Sequence, residues 1–238
     1  LAVSDVVAGT EEMLVADDSI AAWIHINEKG VITVYTGKVE VGQNIRTSLT
    51  QIVAEELRVP VGAIELIMGD TSLTPYDRGT FGSLTTPTMS PQLRKAAASL
   101  REVLTEMAAT EWKTSATSLK VEDGKVIQPA SGKSLSFSEL TKGQKILKPV
   151  NDNVALTPPD KWKVAGKSIP KINGRDFITG KHKYASDLTI PGMMYGKIVR
   201  APANGATLIS ADTAKAKSIP GVMVVEEKDF VGVIAPDS

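Results

Sequence analysis

Two short stretches hold the residues best suited to chemistry. The first is Val39-Glu40-Val41-Gly42-Gln43-Asn44-Ile45-Arg46-Thr47. Its glycine lets backbone come close to a ligand, Gln43 offers an amide donor and acceptor, and a helix starting near Asn44 would present unpaired N–H groups; such a corner suits an anion. The second stretch contains Gly79, Thr80, Gly82, Ser83, Thr85 and Thr86, hydroxyls and amides carried on little side-chain bulk. Either could cradle a phosphate or a polar heterocycle. Either alone reads equally as a turn whose Ser and Thr satisfy loop backbone, and their joint occurrence is what points to a site. Neither has the spacing of a GxxxxGKS/T phosphate loop or a GxGxxG fingerprint, which disfavours nucleotide hydrolysis and a Rossmann cofactor.

The elements that must position these stretches follow from apolar period and turn residues. Trp23 to Ile26 and Val31 to Thr36 are β-rich runs around Asn27-Glu28-Lys29-Gly30, a hairpin. Ile45, Leu49, Ile52, Val53 and Leu57 repeat at helical spacing, with Asn44 as N-cap and Pro60 beyond the end. Ala63 to Met68 alternates as a strand, Gly69 to Met89 is a loop, and Ser90-Pro91 starts a long helix on Leu93, Ala96, Ala97, Leu100, Val103, Leu104, Met107 and Ala108. Lys120 to Glu122 and Lys125 to Ile127 form a small hairpin, and Ser136 precedes a helical turn at Phe137 to Thr141. The stretch 142–171, dense in Lys, Asn, Asp and Pro, reads as an extended connector. After it, strands are expected at Met194 to Arg200, Ala206 to Asp212, Val222 to Val225 and Val231 to Ala235, with a short helix at Thr213 to Ser218. The fold class is therefore α+β, divided into a lead-in (1–20), a first domain (21–141), the connector (142–171) and a second, smaller domain (172–238).

Composition narrows the chemistry. The 238 residues carry 27 basic and 27 acidic side chains with no basic block, so nucleic acid is a poor partner. Cysteine is absent, which removes disulfides, thiolate metal sites, a cysteine nucleophile and any iron–sulfur cluster held by this chain. His25 and His182 are too far apart to read as a metal pair; His25 lies in an alternating strand as a rim imidazole, and His182, between Lys181 and Lys183, as an exposed one. Glu55 and Glu56 read as solvent or rim charges of the helix, while Glu40 stays open between roles. Trp23, Trp112 and Trp162 read as packing residues. No apolar run is long enough to span a membrane, and the N-terminus lacks the order of a signal peptide.

Taken together, Gly37-Lys38-Val39-Glu40-Val41-Gly42-Gln43-Asn44-Ile45-Arg46-Thr47, Gln51-Ile52-Val53-Ala54-Glu55-Glu56-Leu57, Met68-Gly69-Asp70-Thr71 and Gly79-Thr80-Phe81-Gly82-Ser83 closely resemble the molybdopterin-binding large subunit of the xanthine dehydrogenase and aldehyde oxidase family. These motifs precede Lys171-Ile172-Asn173-Gly174-Arg175-Asp176-Phe177-Ile178-Thr179-Gly180-Lys181-His182-Lys183-Tyr184-Ala185-Ser186-Asp187. That order is similar to the isoquinoline 1-oxidoreductase and nicotinate dehydrogenase branch; in the other branches the second block comes first.

The resemblance implies part of a molybdopterin-binding domain, mixed sheet and helix, followed by a smaller αβ hammerhead-like domain that scaffolds the site. It implies a hydroxylase that oxidises a small-molecule N-heterocycle or aldehyde with water as oxygen source, the molybdenum held by the pterin dithiolene and the pterin in its cytosine dinucleotide form. By position, the backbone of Val41 and Gly42 with the Gln43 amide would contact the pterin, next to Asn44, while Gly82, Ser83 and Thr85 would bind the pterin or its phosphates. Asn44 stands where the family usually has glycine. The family's catalytic glutamate lies in a later segment, so no catalytic residue is assigned and the chain alone is expected to be inactive. Expected partners are the remainder of the large subunit, an iron–sulfur small subunit and a cytochrome electron acceptor. The resemblance favours the periplasm over the cytoplasm. Two alternatives stand beside it: a scaffold of the same fold that binds no molybdenum, and a small-ligand binding protein with no redox role.

Overall fold

The computed structural model describes residues 18–237, and most of the lead-in lies outside them. A short helix α1 (Ile20–Trp23) opens the described chain and runs directly into strand β1 (Ile24–Ile26). Trp23, expected to begin the strand, closes that helical turn instead, and its ring is buried in the core. β1 pairs antiparallel with β2 (Ile32–Thr36), with Ile24 opposite Val34 and Ile26 opposite Ile32. The alternation of β2 is strict: Ile32, Val34 and Thr36 face inward.

Strand β3 (Ile64–Met68) lies parallel to β2, and parallel neighbours need a crossover. Helix α2 (Ile45–Leu57) supplies it. Ile45, Leu49, Val53 and Leu57 recur along one stripe and all four are buried, as the spacing predicts. Helix α3 (Thr85–Trp112) packs on α2 through Leu93, Ala96, Ala97, Leu100 and Leu104, the alanines letting the two backbones come close. Each fully buried leucine here contributes about 2–3 kcal/mol over an exposed one.

The start of α3 departs from expectation. The helix begins at Thr85 rather than at Ser90-Pro91, and Pro91 lies inside it. Ser90 therefore caps nothing, and its hydroxyl is buried without a protein partner. Pro87 falls in the first turn, where the missing N–H has no intrahelical partner to lose, and burial of Met89 and Leu93 carries the helix through Pro91.

A second sheet follows, β4 (Lys120–Glu122), β5 (Lys125–Gln128) and β6 (Lys133–Ser136), a meander in which β6 extends the expected hairpin. Helix α4 (Phe137–Thr141) closes it with a full capping box between Ser136 and Glu139. The stretch 142–171 has little regular structure but is tied down along its length. Ile20 and Ala21 donate to the carbonyls of Lys148 and Ile146, and Gln51 Nε2 donates to the carbonyls of Val164 and Lys167.

The chain divides into two compact units after Gly174, at the start of helix α5 (Gly174–Ile178). In the second unit, β9 (Phe230–Ala235) lies between β7 (Tyr195–Ile198) and β8 (Met223–Glu227), all antiparallel, with α6 (Ala214–Lys217) before β8. His182 stacks on Phe177 at 4.0 Å between ring centres and meets Tyr184 edge-on. The strand expected at Ala206 to Asp212 does not form. Its β-favouring run Thr207-Leu208-Ile209 is present, but no strand of this sheet pairs with it and Ile209 is 95% exposed, so nothing fixes its backbone.

Candidate functional site

The two chemistry-bearing loops meet beside the ends of β2 and β3. Continuing the inward register of β2 past Thr36 puts Lys38 inside, where a lysine must be paired. Its ammonium bonds Asp77 Oδ1 at 2.8 Å and the Gly79 carbonyl at 2.7 Å, with both side chains of the ion pair under a tenth exposed. The amide of Val39 donates to Thr80 Oγ1 at 3.0 Å. Gly37 is required for this approach, because a Cβ there would stand 2.4 Å from the Asp77 Cβ and 3.0 Å from the Pro75 carbonyl oxygen. Lys38 and Asp77 are the struts that sequence reasoning missed; the period of β2 was the signal that could have found Lys38. Arg78, exposed beside Asp77, adds a cation to the second loop.

Within the first loop the polar groups are largely spoken for. Gln43 turns its amide back on its own loop: Oε1 accepts from the Val41 amide at 2.6 Å and Nε2 donates to the Val39 carbonyl at 2.9 Å. Asn44 occupies the N-cap position of α2, but its side chain accepts from Thr47 Oγ1 and not from a helix amide. The cap is Glu40. Its Oε1 accepts from the amides of Gly42 at 3.0 Å and Asn44 at 2.9 Å, and its Oε2 accepts from the amide of Arg46 at 3.1 Å. Lys171 adds its ammonium to Oε1 at 3.0 Å, and the Glu40 side chain is 4% exposed. Burial works against the charge on Glu40, yet the Arg46 amide, Lys171 and the Asn44 amide together hold its pKa below the usual glutamate value. The anion that suits this corner is thus a carboxylate of the chain itself.

What remains open in the first loop is its outer surface. Val41, Gly42, Gln43 and Asn44 are all exposed. Gly42 has φ +104°, and a Cβ there would meet nothing within 4 Å, so backbone geometry rather than crowding asks for glycine. Asn44 itself has φ 64°, a left-handed conformation that asparagine tolerates better than most residues.

The second loop is built differently. Gly82 and Ser83 both have positive φ, the latter at 56° despite its side chain, and they lead through Leu84 into α3. The N-cap side chain is Leu84, which can accept nothing. Among the described residues no protein group pairs with the amides of Gly82, Ser83, Thr85 and Thr86 or with the hydroxyls of Ser83 and Thr85. A ligand with phosphate or carbonyl oxygens would find donors here, at the positive end of a 28-residue helix. The same loop carries the exposed rings of Tyr76 and Phe81. These residues fit a pterin bearing phosphate: glycine backbone and aromatic rings for its faces, amides and hydroxyls for its oxygens. No group of three or more His, Cys, Asp or Glu among the described residues is placed to hold a metal ion.

Glu55 and Glu56, expected at the solvent face or rim, are buried at 3% and 0% exposure. Helix spacing sets only the two directions in which these neighbours point, about 100° apart; the stretch 154–165 then folds over both and brings irregular backbone whose N–H groups need acceptors. Glu55 Oε2 accepts from the amides of Lys163, Val164 and Ala165. Glu56 pairs with Arg94 at 2.8 Å and Arg101 at 3.0 Å and takes the amide and hydroxyl of Thr157. His25 is half-buried, its pKa lowered by burial and by Lys145. A cleft of about 770 Å³ opens at the far end of α2, walled by Arg58, Val59, Arg101, Glu106, Lys120 and Lys163, and it includes no residue of either loop.

The molybdopterin cofactor-binding domain family matches residues 2–186. The chain is 34% identical over 230 residues to a nicotinate dehydrogenase subunit from Pseudomonas putida, covering 93% of this chain and 19% of that protein. To the beta subunit of isoquinoline 1-oxidoreductase from Brevundimonas diminuta it is 26% identical over 240 residues, covering 84% of this chain and 31% of that protein. It thus spans about a fifth to a third of the length of these curated relatives. The solved structure of quinoline 2-oxidoreductase from Pseudomonas putida 86 matches 56% of this chain and 17% of its own, with a TM-score of 0.44 and 25% identity.

Proposed function

This chain belongs to the molybdopterin cofactor-binding domain family, and from that premise we propose that it is the cofactor-gripping part of a molybdenum hydroxylase large subunit. The substrate class is an N-heterocycle or an aldehyde, oxidised with water as the oxygen source. The observation that carries this reading is the junction of the two loops through Lys38, Asp77, Val39 and Thr80, which sets an exposed glycine turn beside an uncapped helix start.

In this reading the outer backbone of Val41 and Gly42, with the Gln43 amide released from its internal partners, lies against the pterin next to Asn44. Gly82, Ser83 and Thr85 take its polar edge or the phosphates of its cytosine dinucleotide form. Bound there, the group supplies two-electron oxidation at a molybdenum held through its own dithiolene sulfurs. This chain's part is to bind and orient it: Lys38 fixes the spacing of the loops, and Glu40 fixes the shape of the first. The remainder of the large subunit supplies the proton-accepting glutamate. Electrons leave to an iron–sulfur small subunit and then to a cytochrome, and the complex works in the periplasm. Residues 172–238 act as the scaffolding, hammerhead-like domain, with 142–171 the connector to it.

Molybdenum and pterin analysis of the natively purified protein tests this. Wild type should carry both, and Ser83→Ala with Thr85→Ala should carry less of each. A second reading, a scaffold of the same fold without molybdenum, is favoured by one observation: the amides of Val41, Gly42, Asn44 and Arg46 are all satisfied inside the chain. Wild-type protein free of molybdenum and pterin would establish that reading in place of the first.

A further inference from the structure

The Glu40 carboxylate is the hub of the first loop, and one of its four partners comes from far away in the chain. Three are local amides, those of Gly42, Asn44 and Arg46, which lie on both sides of Gln43 and across the turn into α2. The fourth is the ammonium of Lys171, 131 residues later. One residue further on, the amide of Ile172 donates to Thr47 Oγ1 in the first turn of α2 at 3.0 Å, and Thr47 in turn donates to Asn44 Oδ1. The head of the second motif block is therefore bonded at two points to the loop and helix start of the first. Both contacts are polar and made by residues outside the apolar cluster that forms the core.

A loop with φ of 104° at Gly42 and 64° at Asn44 has few intrinsic reasons to hold one shape, and three convergent N–H groups with no acceptor would repel one another and attract water. One carboxylate oxygen pair removes that freedom. An isolated buried carboxylate would itself be costly, and the Lys171 charge offsets it. Resting on the reading of this loop as part of the cofactor grip, we propose that Glu40, clamped by Lys171, is the positioning residue that presents the Val41–Asn44 backbone to the pterin, so that the second motif holds the first in its binding shape. Glu40 touches no ligand in this scheme; it acts through the backbone it holds.

The test uses the natively purified protein with the subunits it carries. Amide hydrogen exchange over residues 39–47 and pterin content, read by fluorescence of the oxidised pterin, are measured for wild type, Glu40→Gln, Lys171→Met and Lys171→Arg. Glu40→Gln should speed exchange at Gly42, Asn44 and Arg46 by roughly tenfold or more and lower the pterin content, as expected for losing charge-assisted bonds. Lys171→Met, which leaves the carboxylate and its three amide donors in place, should do the same to a smaller degree, and Lys171→Arg should restore wild-type values. Should Glu40→Gln fail to fold, Lys171→Met still decides the matter. Full pterin content in both Glu40→Gln and Lys171→Met overturns this inference alone. Wild-type protein devoid of pterin overturns the reading of the loop as a cofactor grip, and the inference with it.

Discussion

The starts of α2 and α3 look alike in sequence, a glycine turn feeding a helix, yet the first is closed and the second is open. At α2 a carboxylate four residues before Asn44 and six before Arg46 reaches forward and takes the amides of the turn. At α3 the nearest acid in the preceding loop is Asp77, and it is spent on Lys38 and on the amide of Gly79. One helix start is therefore a piece of scaffold and the other an anion-ready surface, although a glycine turn precedes both. What separates them is where the nearest carboxylate is already committed.

Substitutions can break or sharpen this contrast, and the largest effect falls at the other end of α2. Removing Glu56 leaves Arg94 and Arg101 without their buried counter-charge, and Glu56→Ala should lower stability by about 3–5 kcal/mol in a denaturant titration. Lys38→Met strands the Asp77 carboxylate between the loops and should cost about 3 kcal/mol, with accelerated proteolysis of the Gly69 to Leu84 stretch as the local sign that the loops have parted. Glu40→Gln should cost about 2 kcal/mol. Its effect also has a pH signature. Because Glu40 ionises more readily folded than unfolded, its contribution is complete above the ordinary glutamate value and is lost as pH falls through the lower folded value. Thermal melts run from about pH 6 to about pH 3 should therefore show a shallower acid limb in Glu40→Gln than in wild type. The smallest effect on stability belongs to the open end. Ser83→Gly relieves a left-handed serine and should leave stability within about 0.5 kcal/mol of wild type, while pterin content falls with the lost hydroxyl. A Ser83→Gly protein that loses stability but keeps its pterin would reverse the contrast between the two helix starts.

Much of the scaffold was legible because it rests on local rules. Alternation in Ile32 to Thr36, the stripe Ile45, Leu49, Val53 and Leu57, and the helical turn after Ser136 each state a period or a start within a few residues, and each formed as expected. The convergence of the two glycine loops, expected from the sequence, is seen in the bonds of Lys38 and Val39 to Asp77, Gly79 and Thr80. The start of α3 was misplaced because Ser90-Pro91 is a strong local signal that burial of Met89 and Leu93 overrides. Ala206 to Asp212 failed in the opposite sense: its pattern suits a strand, but pairing is a property of two segments and only one is present in this sheet.

The carboxylates mark the boundary most clearly. By itself the order of residues determined that Glu40, Glu55 and Glu56 flank or lie on α2, and on which face, because helical and strand geometry depend on near neighbours alone. Whether each carboxylate meets water or backbone was decided only when Lys171, Lys163 to Ala165 and Thr157, more than a hundred residues away, came to lie against them. A buried charge is tolerable only with partners in place, and those partners are supplied by the folded chain as a whole.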